Sequence, residues 1–70
     1  MRGGEFLRRL KRLGDRKGVE VRFIAYRGKG SHGTVYFGHA STILKDRRKE
    51  IGVGLLHRMC SDLGVEVHEL

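Results

Sequence analysis

The sequence predicts a single α+β domain over residues 1–70, in the order helix, strand, strand, strand, helix, with both helices on one face of a three-stranded antiparallel sheet. Three observations lead there. Apolar residues recur at helical spacing in two segments, they alternate with polar ones in the stretch between, and glycine-rich breaks separate the strands closely enough to force hairpins. Seventy residues leave room for one hydrophobic core only.

Residues 4–14 carry Phe6, Leu7, Leu10 and Leu13 on one side and Arg8, Arg9, Lys11 and Arg12 on the other, which is an amphipathic helix that Gly14 is placed to end. From Val19 to Tyr26 the set Val19, Val21, Phe23, Ala25 alternates with Glu20, Arg22, Ile24, Tyr26, the pattern of a strand with one face on a core. Thr34–Gly38 reads as a second strand with Val35 and Phe37 inward, and Ser41–Leu44 as a short third. Lys45–Lys49 is a charged connector. Leu56, Met59, Cys60 and Leu63 then stand at i, i+3, i+4 and i+7, so Val53–Leu63 forms a second helix closed by Gly64. Val65–Leu70 alternates weakly and reads as a fraying strand or a tail.

Fifteen Lys and Arg against eight Asp and Glu give a net charge of +7. On so small a body this points to polyanionic partners, either nucleic acid or an acidic protein. No apolar run approaches the length of a membrane span, and Arg8 and Arg9 interrupt the first apolar residues before a leader could form. Cys60 is the only cysteine, so it has no intrachain disulfide partner; its place in a helical apolar pattern makes it a core residue. Together these favour a cytoplasmic chain.

The segment Arg27-Gly28-Lys29-Gly30-Ser31-His32-Gly33 gathers one imidazole, two cations, a hydroxyl and flexible backbone amides within seven residues. Histidine suits either proton-transfer role because its ordinary pKa, about 6.5, lies near working pH. Amides and cations beside it suit the charge that develops on a phosphate. On the residues alone two readings stand: a phosphate-handling turn, or an ordinary glycine-rich hairpin with an exposed histidine.

Lys29-Gly30-Ser31-His32 followed by the aromatic strand Thr34-Val35-Tyr36-Phe37 resembles the lysine-glycine-serine-histidine signature of the HicA family of mRNA interferase toxins. The run from Lys49 through Ile51-Gly52-Val53-Gly54-Leu55-Leu56, continuing to Asp62-Leu63-Gly64-Val65, is similar to the entry and body of that family's second helix. With the leucine-rich first helix, the resemblance covers nearly the whole chain in the right order. It implies a double-stranded-RNA-binding-domain-like fold, metal-independent endoribonuclease activity on mRNA with His32 as the catalytic histidine, no cofactor, and neutralisation by a HicB-type antitoxin. Gly30 and Ser31 fall on the signature's glycine and serine. The chain departs from the family in a longer connection ahead of the signature and in a third strand, Thr42-Ile43-Leu44, without the proline often found there.

Lys29, Gly30 and Ser31 are the expected phosphate contacts beside His32, joined by Arg47 and Arg48, which lead with Lys45 and Lys49 toward a helix N-terminus that favours anions. His39 is a second proton-transfer candidate if the third strand folds back beside the His32 turn; otherwise it is a solvated turn residue. His57 and His68 read as surface residues, and one cysteine with four scattered histidines offers no metal-ligand spacing. Tyr26 and Tyr36, on outward faces, either stack on bases, lie beneath a protein partner or cover the sheet edge. A non-catalytic RNA-binding module is the alternative to the enzyme, and an interaction protein with an acidic partner is a third reading.

Overall fold

The computed structural model describes residues 1–26 and 32–70. Helix α1 spans Gly3–Lys17, strands β1, β2 and β3 span Val21–Ala25, Gly33–Phe37 and Ala40–Leu44, and helix α2 spans Val53–Leu63, followed by a 3-10 turn at Val67–Glu69. The strands lie in the order β1-β2-β3, all antiparallel. This α+β arrangement is consistent with the double-stranded-RNA-binding-domain-like topology. Its radius of gyration, 11.1 Å, is that of a compact chain of this length. No helix among the described residues is long and apolar enough to cross a membrane.

Register explains which side of the sheet is covered. Phe23 stands opposite Val35, and Val35 opposite Thr42, so these residues share a face with Val21, Phe37 and Leu44. That face meets Phe6, Leu10 and Leu13 of α1 and Met59, Cys60 and Leu63 of α2 in one core, with Phe6, Leu10 and Val35 wholly buried. Both helical stripes read from the sequence are therefore on the core side, Leu56 at its margin. The opposite face carries Arg22, Ile24, Thr34, Tyr36, Ser41 and Ile43, and among the described residues no helix packs on it.

Three expectations need correction. Helix α1 does not end at Gly14 but runs one turn further and closes at Gly18, whose φ of 68° is left-handed. The extra turn, Asp15-Arg16-Lys17, is entirely exposed, so apolar periodicity could not register it. Gly14 instead permits close packing: a Cβ there would stand 2.5 Å from the Val19 carbonyl oxygen and 2.6 Å from Val21 Cγ2. Second, β1 starts at Val21 rather than Val19, because the Val19 N–H donates to Gly14 O (2.8 Å) and completes the helix closure. Third, the C-terminus is neither strand nor loose tail. Val65 is buried, Val67 and Leu70 pack on the core, and Glu66 and Glu69 form a reciprocal capping box. Arg16 donates to Glu69 O at 3.0 Å and Lys17 pairs with the Glu69 carboxylate at 2.6 Å, so the extra turn of α1 holds the end of the chain.

The β2–β3 connection is a two-residue turn, Gly38-His39, with Phe37 opposite Ala40 and Gly38 at φ 63°. Thr42, buried among apolar neighbours, donates its hydroxyl to Asp62 Oδ2 at 2.9 Å and ties β3 to α2.

Candidate functional site

The hairpin of β1 and β2 presents His32 at the end where the chain crosses from one strand to the other. The His32 carbonyl accepts the Tyr26 N–H at 2.8 Å, one rung beyond the last strand pair, Ala25 with Gly33. Its side chain is exposed. Lys29, Gly30 and Ser31 lie outside the described residues.

Gly33 also pairs with Leu44, so the connector that follows β3 begins at the same end of the sheet as His32. That connector crosses the start of α1: the Gly3 and Gly4 amides donate to the carbonyls of Lys49 and Arg47 at 3.1 and 2.8 Å, and Ile51 N–H donates to Met1 O at 2.8 Å. The first two amides of α1 are thus satisfied by the connector's carbonyls. An added Cβ at Gly3 would stand 2.7 Å from Asp46 O, so a side chain there would push the connector away.

Arg47 and Arg48, indistinguishable by type, are placed differently. The Arg47 guanidinium lies 5.0 Å from the centre of the Phe23 ring, a cation–π contact that fixes its direction. The tip of that ring passes beneath Gly33, where a Cβ would meet Phe23 Cζ at 2.6 Å. Arg47 and Phe23 thus stand on the helix-covered side of the sheet, at the end where Gly33, the chain neighbour of His32, lies. Arg48 projects into solvent and meets Asp46 Oδ1 through Nε at 3.5 Å only. Its backbone N–H donates to the same oxygen at 2.8 Å, and this bond holds the Asp46 carboxyl below the usual carboxylate range.

His39 is a correction. The third strand does fold back, but the Gly38-His39 turn lies at the far end of β2 from His32. Five strand residues at about 3.3 Å each put the two histidines more than about 15 Å apart, far beyond the reach within which two groups share one phosphate. His57 is exposed on α2 beside Ser61, Gly64 and Glu66, and His68 is exposed in the 3-10 turn. Among the described residues no group of three or more His, Cys, Asp or Glu is placed to hold a metal ion. Burial pushes the Cys60 thiol pKa up, as suits a core residue.

Sequence reasoning missed the Phe23–Arg47 contact and the pairing of Tyr26 with His32. Counting outward from Ala25-Gly33 as the innermost pair would have found the second; nothing local marks the first, whose partners are separated by 24 positions on different elements. No family model, curated protein or solved structure matches this chain.

Proposed function

We propose that this chain is a HicA-type toxin, a cytoplasmic, metal-independent endoribonuclease that cleaves mRNA with His32 as general acid or base and is silenced by a HicB-type antitoxin. The observation that carries the reading is the position of His32: an exposed imidazole at the connected end of the β1–β2 hairpin, on a helix-strand-strand-strand-helix frame of +7 charge, with the Arg47 guanidinium held at the same end of the sheet. In this reading Arg47, with Lys29 and the amides around Gly30 and Ser31, balances charge on the phosphate while His32 moves the proton. Arg48 adds attraction without fixed geometry.

The test is purified wild type against His32→Ala on a defined mRNA, with and without EDTA. Wild type cuts in both conditions, and His32→Ala is slower by about two to four powers of ten while retaining RNA binding. A folded His32→Ala protein that cuts as fast as wild type refutes the assignment. One observation favours the alternative, a non-catalytic RNA-binding module: among the described residues no second histidine stands beside His32 to complete an acid-base pair. A wild type that binds RNA and never cuts it decides for the module.

A further inference from the structure

The uncovered face of the sheet is chemically uneven. The chain has no tryptophan and two tyrosines, and both lie on this face. The Tyr26 hydroxyl reaches Thr34 Oγ1 at 3.3 Å, which lays the ring across the sheet instead of leaving it free in solvent. Two residues further along β2, the Arg22 guanidinium lies 4.9 Å from the centre of the Tyr36 ring, covering it with a flat cation. Ile24 and Ile43, each about half exposed, stand on either side of Thr34 as an apolar floor.

We infer that this open face is a track for single-stranded RNA, on which the Tyr26 ring and the Arg22-Tyr36 stack each receive an unpaired base. The inference rests on the RNA-directed reading above and names its substrate form. Three physical points select this occupant. Rings and guanidinium planes stack on any base, but only where the base face is free, as it is in a single strand and not in a duplex. From Thr34, where the Tyr26 ring ends, to Tyr36 is two strand residues, about 7 Å. That is roughly twice the 3.4 Å rise of a stacked strand, so the two surfaces fit a chain stretched and unstacked. A second copy of the chain is opposed by the +7 charge that each would bring, whereas a polyanion is drawn to it. The track is also continuous with the reacting group, because Tyr26 is the residue hydrogen-bonded across the hairpin to His32. A strand stacked on Tyr26 presents its adjoining phosphate to that imidazole.

The test uses the full chain carrying His32→Ala, so that RNA survives, and a ten-nucleotide single-stranded RNA beside a duplex of the same sequence. Tyr26→Ala and Tyr36→Ala each weaken binding of the single strand by about fivefold to a hundredfold, Tyr26→Phe by much less, and duplex affinity hardly moves. Because both tyrosines lie on this face, intrinsic tyrosine emission of the unmutated face is quenched by the single strand and not by the duplex; this arm holds even if an alanine variant folds poorly. Unchanged affinity in both alanine variants, equal losses for duplex and single strand, or unquenched emission overturns the inference and leaves the face to a protein partner. Cleavage by the wild-type chain is scored separately. Loss of stacking-dependent binding with cleavage intact refutes the track alone, and stacking-dependent binding without cleavage refutes the nuclease alone.

Discussion

Gly33→Ala should destabilise the domain, although glycine in a strand is usually the weaker choice. Two effects compete. Removing glycine restricts the unfolded chain and by itself stabilises by about 0.4–1 kcal/mol where the backbone is compatible. Against this, the new methyl would sit 2.5 Å from the Ile24 carbonyl oxygen and 2.6–2.7 Å from Phe23 Cζ and Cε1. The carbonyl belongs to the neighbouring strand and cannot withdraw without opening the β1–β2 pair, so the strain is of the overpacking kind, about 1–3 kcal/mol. The net expectation is a loss of about 0.5–2 kcal/mol. At about 4–8 °C per kcal/mol for a domain of this size, Tm falls by several degrees or more. Gly54→Ala is the matched control, since nothing lies within 4 Å of its Cβ position and it stands in the first turn of α2. Better helix propensity stabilises that variant by up to about 1 kcal/mol. Thermal unfolding followed by circular dichroism reads both. A Gly33→Ala protein melting at or above wild type would refute the claim that β1 and Phe23 close over this position.

Arg47→Ala should lower Tm by a few degrees through the lost contact with Phe23, about 0.5–1 kcal/mol, while Arg48→Ala leaves it unchanged; if both bind phosphate, each flattens the salt dependence of single-stranded RNA affinity by about 0.7 in log-log slope. Equal melting of the two variants would contradict their different placement. Glu69 is held below the usual glutamate range by Lys17 and by the Glu66 N–H, so its stabilisation is complete above the unfolded value near 4.5 and is lost as pH falls through the lower folded value. Acid melts of wild type should therefore steepen below about pH 4.5 relative to Glu69→Gln, and identical profiles would dismiss the interaction. Cys60, buried with its thiol pKa raised, should react with a thiol reagent at the rate of unfolding and not before; immediate labelling of the folded chain would place it at the surface.

What was legible in the sequence is what burial writes at short range. Phe6, Leu10 and Leu13, and Met59, Cys60 and Leu63, are spaced by the helix they occupy, and Val35 and Phe37 by the strand, so element order and core membership followed from periodicity. Features without burial left no such trace. The exposed turn Asp15-Arg16-Lys17 was invisible to an apolar pattern, and the 3-10 turn at the end of the chain is organised by Glu66, Glu69, Arg16 and Lys17. At the candidate site His32 was identifiable from its neighbours in sequence. The separation of Arg47 from Arg48, and of His39 from His32, depends on strand register and a two-residue turn, quantities that one-dimensional spacing does not determine.

A sheet of three strands in the order β1-β2-β3 has two flanks whose hydrogen-bonding groups pair with no further strand among the described residues. Such flanks invite a copy of the molecule to add on, and the +7 charge that each copy carries opposes it. Repulsion of that kind is a property of the solution as much as of the chain. Its range shrinks to about 8 Å at physiological ionic strength and about 3 Å in molar salt. Concentrated stocks should therefore turn cloudy as salt is raised or as a polyanion is titrated to charge balance, and clear again when either is removed. The colloidal behaviour of this small domain thus follows its charge and the ionic strength around it.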